Sequence, residues 1–327
     1  MSLSVPREAD RGITISIVTY NTWPTTKACI RSILADPPVD QPFEILVVDN
    51  GLPDGEPMPE TMDHVSLYDS PVNLGYGRGH NHNLGRARYD RFLILNPDTV
   101  TTGAALQSLA SVLDTHADIA LVAPRLVLPD GRPQLALRSL PGLRTEFGRV
   151  FGLDERLDSP WSTLLTYAGG STFQRVGQVA GAAMMFRTSD LRRLRGFDER
   201  FPMYFEDVDL CRRAAGLGAV VCHLGSSITH EGEGTAKSYR ARAIYWVETS
   251  RMKYYSIHET GLRRLALSLL TFTSCLSHLA ACIALMARAS EADRAELRDK
   301  ARGYFLSLAA RIPRVRRTFD SRMLGKS

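Results

Sequence analysis

The sequence predicts an α/β fold, with a mostly parallel, ligand-binding sheet flanked by helices and a C-terminal helical extension. Short β-branched runs alternate with helical periods from Ile13 to Ala123. These runs end on clusters of Asn, Asp and Gly, and the chain beyond about 240 turns into long helical, arginine-rich segments. With 327 residues, 44% hydrophobic and 23% charged, the composition is that of a globular protein rather than a disordered one.

Ile13 to Thr19 alternates apolar and polar residues and breaks at Tyr20-Asn21, so it reads as a strand entering a polar loop. A helix over about Thr25 to Leu34 follows, then a strand, Phe43 to Val48, that ends on Asp49-Asn50-Gly51. Val65 to Tyr68 is a short third strand, Gly79 to Ala87 a helix, and Arg91 to Leu95 an apolar strand stopping at Asn96-Pro97-Asp98. A helix from Ala104 to His116 and a strand from Ile119 to Ala123 close this first half. Sheets of this kind bind ligands beyond the carboxyl ends of their strands, where three polar clusters now stand, and a nucleotide is the ligand expected if they converge.

The stretch from Arg125 to Gln178 is less regular, with a turn at Pro129-Asp130-Gly131 and a loop at Gly169-Gly170-Ser171. Val179 to Phe186 then reads as one strand and Ser189 to Arg195 as a helix stopped by Gly196. Beyond it, Glu206, Asp207 and Asp209 fall in the first turn of a helix behind the apolar run Phe201 to Phe205. First-turn acids complement a helix dipole, but a carboxylate walled off from water can also serve as a general base.

Asn96-Pro97-Asp98 presents a carboxylate beyond the sheet edge, and a hard divalent cation shared with substrate phosphates needs little more. His230, after another apolar stretch, is a candidate to complete the ligand set. The glycine-rich run Asn73 to Asn83 leads into a helix and allows close backbone approach to a ligand. No GxGxxG follows a strand and no GxxxxGK[ST] occurs, which argues against a nicotinamide enzyme and a P-loop NTPase.

Charge and apolar patterning speak to surroundings. The net charge is +5, and the basic excess gathers in the tail at Arg294, Arg298, Lys300, Arg302, Arg311, Arg314, Arg316, Arg317, Arg322 and Lys326. The neighbouring apolar run favours anionic lipid over nucleic acid as the partner of this tail. Leu265 to Ala287 has no charged residue and is long enough to cross a bilayer. Ser268, Thr271, Ser274 and His278, however, recur on one helical stripe, so a helix lying in the interface or packed on the domain is expected. The five cysteines form no CxxC pair, and Met1 to Arg11 contains no apolar run. A cytoplasmic protein, peripheral at the inner face of the cell membrane, is the expectation.

Seven stretches, in this order and spacing, resemble family 2 glycosyltransferases of the rhamnosyltransferase-like branch. They are Ser16 to Asn21, Val47 to Asn50, Asn73 to Gly77, Leu95 to Asp98, Gly181 to Met185, Gly196 to Glu199 and Phe205 to Arg213. The resemblance implies a GT-A fold over 1–240, with a donor half at about 12–125 and an acceptor and catalytic half at about 126–240, followed by a helical, membrane-associating segment over 241–327. It further implies an inverting enzyme of cell-surface polysaccharide synthesis, taking a UDP- or dTDP-sugar donor, rhamnose from dTDP-rhamnose preferred, and a glycan or lipid-linked acceptor.

By that resemblance Thr19, Tyr20, Asn21 and Asp49 line the base and ribose pocket with Asn50 beside them, and Asn73 and Gly75 border the nucleotide. Asn96 to Asp98 replaces the family's usual Asp-x-Asp, leaving Asp98 to hold Mg²⁺ or Mn²⁺ with His230. Asp207 matches the catalytic base, with Glu206, Asp209 and Arg212 as supporting and orienting groups. A silent sugar-nucleotide-binding scaffold is the alternative of a different class, and a nucleotidyltransferase is disfavoured because Ile13 to Thr26 lacks a glycine-rich, lysine-bearing start.

Overall fold

The computed structural model describes residues 11–51, 62–134, 136–152, 163–166, 172–232 and 240–312. The loop expected at Gly169-Gly170-Ser171, most of the segment from Met1 to Arg11, and the basic residues from Arg314 onward lie outside them. Two compact units are found. The first takes the described residues up to Leu140, those from 163 to Arg200, and Glu206–Gly232; the second takes the described residues from Pro141 to Gly152, Phe201–Phe205 and those from Arg240 onward.

The first unit is built on twelve strands and five helices among the described residues. Its chain order is β1 (Ile13–Thr19), α1 (Trp23–Ala35), β2 (Phe43–Asp49), β3 (Val65–Asp69), α2 (Tyr76–Arg86), β4 (Arg91–Leu95), β5 (Thr99–Val100) and α3 (Gly103–Thr115). There follow β6 (Ile119–Val127), β7 (Leu137–Arg138), β8 (Thr163–Thr166), β9 (Thr172–Arg175), β10 (Gln178–Val179), β11 (Ala183–Arg187), α5 (Thr188–Arg193), α6 (Glu206–Ala214) and β12 (Ala219–His230). Helix α4 (Leu143–Val150) belongs to the second unit.

The main sheet runs β3-β2-β1-β4-β11-β6-β12-β9-β8, with β5 paired to β12. Strands β3, β2, β1 and β4 are parallel, and every residue of β1 and β2 is buried, as central strands covered on both faces require. Beyond β4 the sheet is mixed: β11 runs antiparallel to β4 and β6, while β6 and β12 are parallel. The expected single strand from Val179 to Phe186 is therefore two, because β10 pairs with β7 in a separate ribbon and only β11 enters the main sheet. The intervening residues 180–182 turn toward the sheet's ligand edge. Gly131 does sit in a turn, donating to the Leu128 carbonyl at 2.8 Å with a φ of 82°.

Two apolar layers cover the sheet. Trp23, Ile30 and Ile33 of α1 and Leu106 and Leu109 of α3 pack on one face, and Leu84 of α2, Leu191 of α5 and Leu210 and Cys211 of α6 on the other. Polar side chains inside the sheet are paired rather than exposed: Asn83 donates to Ser16 Oγ (2.9 Å) and the Leu46 carbonyl (2.8 Å), and Ser16 Oγ meets His80 Nδ1 at 2.7 Å. Burial drives the His80 pKa down to about 3, so the ring stays neutral and its polar link from α2 to β1 is a hydrogen bond rather than an ion pair.

The second unit contains α4 and three longer helices, α7 (Arg240–His258), α8 (Gly261–Met286) and α9 (Glu291–Ala309). Its centre is a charge-balanced cluster of two glutamates and two arginines. Arg149 bridges Glu146 (3.0 Å) and Glu248, Arg251 reaches Glu146 at 2.8 Å, and the Tyr255 hydroxyl donates to the same carboxylate at 2.7 Å. Burial pushes the Glu146 pKa up, but Arg251 and Arg149 more than offset it and hold the group ionised. Phe201 to Phe205 joins this unit: the Phe205 ring meets Tyr254 edge-on, Arg251 lies 5.0 Å over it, and Ser250 donates to the Met203 carbonyl.

Candidate active site

The strand order reverses between β1 and β4, which opens a crevice at their carboxyl ends. Thr19, Asp49 and Asn96 stand at or just past the ends of β1, β2 and β4. Thr19 is buried, its hydroxyl 2.8 Å from that of Thr26 and 3.1 Å from that of Thr22. Asp49 is also buried, accepting from Trp23 Nε1 (2.9 Å) and from the Gly51 amide (3.2 Å). Burial raises its pKa against those two hydrogen bonds. Both side chains thus brace the crevice wall through their own partners. Tyr20 is different: 54% exposed, with its ring edge over Gly51, it offers a flat aromatic surface. Asn21 beside it holds a positive φ of 54°.

Asn50 ties the glycine-rich loop to this edge. Its Oδ1 accepts from the Leu74 amide (3.0 Å), and its Nδ2 donates to the Gly75 carbonyl (3.3 Å). Asn73 is exposed and accepts from the Gly75 amide at 2.8 Å. Gly75 is the residue before α2 and has a φ of 81°, a conformation that a side chain would strain.

Asp98 and His230 come together as the sequence expects. His230 Nε2 lies 3.3 Å from Asp98 Oδ1 and 3.3 Å from Asn96 Nδ2, while Nδ1 meets Gln134 Oε1 at 2.8 Å. With Nδ1–H donating to Gln134, Nε2 carries a lone pair that the Asn96 amide can share and that is free to ligate a cation beside the Asp98 carboxylate. Burial pushes the Asp98 pKa up, but hydrogen bonding and charge from His230 leave it below the usual carboxylate range. The oxygen and imidazole donors fit a divalent ion held by few protein groups. No cluster of three His, Cys, Asp or Glu occurs among the described residues, so the pair would depend on ligand oxygens to complete a coordination shell.

The acids of α6 separate into two kinds. Asp207 Oδ2 accepts from the Gly181 amide (3.1 Å) and Oδ1 from the Val208 amide (2.8 Å). Glu206 is buried, and its Oε2 has no hydrogen-bond partner. Burial and the Asp207 charge raise the Glu206 pKa to about 8, and burial also raises that of Asp207 against its two amide donors. Burial thus favours a proton shared by the pair, and of the two acids Asp207 is the one with amide donors seen to favour its charged form. The chain enters α6 from two left-handed residues, Tyr204 (φ 62°) and Phe205 (φ 69°), a conformation costing about 1 kcal/mol or more per residue.

Asp209 does not join them. It is buried against Arg213 (2.7 Å), which also donates to the Leu194 and Gly196 carbonyls, so this pair fastens α6 to the turn after α5. Of Arg212 and Arg213, the two arginines expected to orient the acids, Arg213 is seen paired with Asp209.

Tyr76 had no role in the sequence reading, yet its hydroxyl donates to the Gly181 carbonyl at 2.6 Å. Burial, with the charges of Glu206, Asp207 and Asp98, raises its pKa well above the ordinary value. A Cβ at Gly181 would come within 3.2 Å of that hydroxyl and 3.3 Å of Asp207 Cβ, so glycine permits the approach.

A mixed sheet whose parallel half reverses strand order between β1 and β4, with Asp98 and His230 paired and Asp207 held by amides, is the architecture of a GT-A protein. Residues 14–176 match the family model for Glycosyl transferase family 2, and the chain belongs to that family as a glycosyltransferase. It is 26% identical over 237 residues to the N-acetylglucosaminyl-diphospho-decaprenol L-rhamnosyltransferase of Mycobacterium tuberculosis (strain ATCC 25618 / H37Rv), covering 67% of this chain and 76% of that protein. To Rhamnosyltransferase WbbL of Escherichia coli (strain K12) it is 25% identical over 253 residues, covering 73% and 91%.

Among solved structures, the mannosyltransferase PcManGT from Pyrobaculum calidifontis, in complex with GDP-Man and Mn²⁺, superposes with a TM-score of 0.50 at 17% identity, covering 98% of this chain and 89% of that one. GalNAc-T7 with UDP, GalNAc and Mn²⁺ gives 0.52 at 13% identity over 75% of this chain, which spans 50% of the GalNAc-T7 chain. These likenesses establish the GT-A fold.

Proposed function

We propose that this protein is an inverting glycosyltransferase that moves rhamnose from dTDP-rhamnose to a hydroxyl of a glycan or lipid-linked acceptor in cell-surface polysaccharide synthesis. The observation that carries the reading is Asp207, held by the Gly181 and Val208 amides beside the buried Glu206, whose Oε2 has no hydrogen-bond partner. The names of the two rhamnosyltransferase relatives support the sugar, and the mycobacterial name supports an acceptor carried on a lipid diphosphate.

The donor half spans about 12–125 and the acceptor half about 126–240. The exposed Tyr20 ring stacks on the nucleotide base, with Asn21 beside it, while Thr19, Asp49 and Asn50 hold the wall and the Asn73–Gly75 loop in place. Asp98 and His230 hold Mg²⁺ or Mn²⁺, with Gln134 orienting the imidazole. The bound ion supplies neutralisation of the charge that develops on the departing diphosphate, worth several kcal/mol.

Asp207 takes the proton of the acceptor hydroxyl as its oxygen attacks the anomeric carbon. The bond to the nucleoside diphosphate breaks on the opposite face, so the configuration inverts. The products are the new glycosidic bond, the free nucleoside diphosphate and a protonated Asp207. Removing the acceptor's proton in this way contributes roughly 10²- to 10⁴-fold. Attachment to the cytoplasmic face of an anionic membrane belongs to the same reading, supported by the arginines after Arg288 and the apolar helix α8.

The test is transfer by the purified protein with Mn²⁺, comparing dTDP-rhamnose with UDP- and GDP-sugars, onto a prenyl-diphosphate-linked N-acetylglucosamine. Nucleoside diphosphate release and the anomeric configuration of the product are followed by NMR. Rhamnosyl transfer with inversion is expected. Retention, or no turnover with any donor, overturns the reading.

A further inference from the structure

Helix α8 is amphipathic in reverse. The positions packed inside the second unit are Leu267, Thr271, Ser274, Cys275 and Cys282, mostly polar or small. Leu262 (84% exposed), Leu265, Leu269, Phe272, Leu276 and Ile283 stand outward instead. Their steps of three, four and seven residues draw one continuous apolar stripe along the helix.

The polar atoms of the inner face are satisfied within the unit. Thr271 Oγ1 donates to the Leu267 carbonyl (2.7 Å) and lies 3.4 Å from Glu146 Oε2, and the Cys275 thiol points to Glu248 Oε2 at 3.5 Å. The polar stripe that the sequence displays therefore turns toward the protein, and the bulky apolar stripe is left uncovered by the described residues. Contiguous exposed apolar surface of this kind marks an interaction face.

We propose that the outer stripe of α8 docks in the plane of an anionic bilayer, with its leucines and phenylalanine among the acyl chains and Arg264 and Arg288, exposed at its two ends, at the headgroups. This rests on the reading of a membrane-borne acceptor and deepens it by naming the surface. A spanning helix is disfavoured by what α8 carries on its inner face: the Glu146, Arg149, Glu248 and Arg251 cluster, and contacts with α7 and with α9, whose Arg294, Arg298 and Asp299 are exposed. Crossing the bilayer would draw these charges toward hydrocarbon. A second copy is disfavoured by charge, because antiparallel twofold pairing of α8 would set Arg264 against Arg288 of the other copy, whereas anionic headgroups complement both.

The test is flotation of the full chain with phosphatidylglycerol-containing and with purely phosphatidylcholine vesicles. The wild type is compared with the double variant Leu269→Asp/Phe272→Asp and with the conservative pair Leu269→Phe/Phe272→Leu. Expected are binding to anionic vesicles, weaker binding to neutral ones, about a tenfold or greater loss in the Asp variant, and retention in the conservative pair. Alkaline carbonate should release the bound wild type. An unchanged thermal midpoint and an unchanged shift with dTDP and Mn²⁺ show that the Asp variant is folded.

Equal flotation of wild type and Asp variant, resistance to carbonate, or a lipid-free dimer that the Asp variant dissociates would each overturn the proposal. Loss of flotation with transfer to a soluble acceptor intact supports the docking face. Absence of donor binding in every variant instead counts against the glycosyltransferase chemistry, whatever the vesicles show.

Discussion

The Tyr76 hydroxyl donates a 2.6 Å hydrogen bond to the carbonyl of Gly181, and the amide of the same glycine donates to Asp207 at 3.1 Å. One residue of the chain thus links a phenol at the start of α2 to Asp207, the carboxylate proposed as base. Fixing the Gly181 peptide fixes the direction of the amide that stabilises the Asp207 charge.

Replacing Tyr76 by Phe removes that tether and leaves a carbonyl short of a donor, at about 1–3 kcal/mol of stability. Turnover should fall about tenfold with little change in donor KM, because the bond lost is to Gly181 beside Asp207 and not to a residue assigned to the nucleotide. The acidic limb of the pH–rate profile should also move to higher pH, since the Gly181 amide that lowers the Asp207 pKa against burial is no longer fixed. An unchanged profile with turnover near wild type would show that Tyr76 only packs.

Glu206 predicts a pH dependence of stability. Its ordinary pKa is 4.5 and burial with the Asp207 charge raises it to about 8. Between those values the folded protein keeps a proton that the unfolded chain releases, so this residue makes stability fall as pH rises through the window. Glu206→Gln should remove that part of the decline, leaving the variant more stable than wild type at pH 8 and closer to it at pH 5. Thermal midpoints across this range check it, and parallel curves for the two proteins would contradict it.

The Asp98 and His230 pair predicts cation binding that depends on Gln134. Asp98→Asn and His230→Ala should abolish the stabilisation that Mn²⁺ adds in the presence of nucleotide. Gln134→Leu, which touches no ligand oxygen, should weaken Mn²⁺ by about 10- to 100-fold by freeing the imidazole. Titration of Mn²⁺ against the thermal midpoint reads all three, with EDTA as the reference. Wild-type Mn²⁺ affinity in Gln134→Leu would remove the orienting role.

Local pattern made most of this legible. The apolar run Ile13 to Thr19, the stop at Asn96-Pro97-Asp98 and the acids at the start of α6 all follow from residue type and spacing, and the structure brings Asp98 to His230 across 132 positions of sequence. What stayed hidden was non-local. Tyr76 meets Gly181 105 positions away and Gln134 meets His230 96 positions away, and neither pairing leaves a trace in local periodicity.

The break between β10 and β11 was hidden because Val179 to Phe186 carries no polar residue to mark it, while the pairing of β10 with β7 is set by residues some forty positions away. Glu146, Arg149, Glu248 and Arg251 carry no local mark of their burial, since tertiary packing is what brings them together. The polar stripe of α8 was visible, but nothing in the sequence said that it faces inward.

The central claim is that Asp207 is the base, and the most direct measurement compares sugar transfer with donor binding in Asp207→Asn. The account predicts transfer reduced by about 100-fold or more, with the thermal stabilisation by dTDP and Mn²⁺ unchanged. Turnover above about a tenth of wild type in that variant would contradict it.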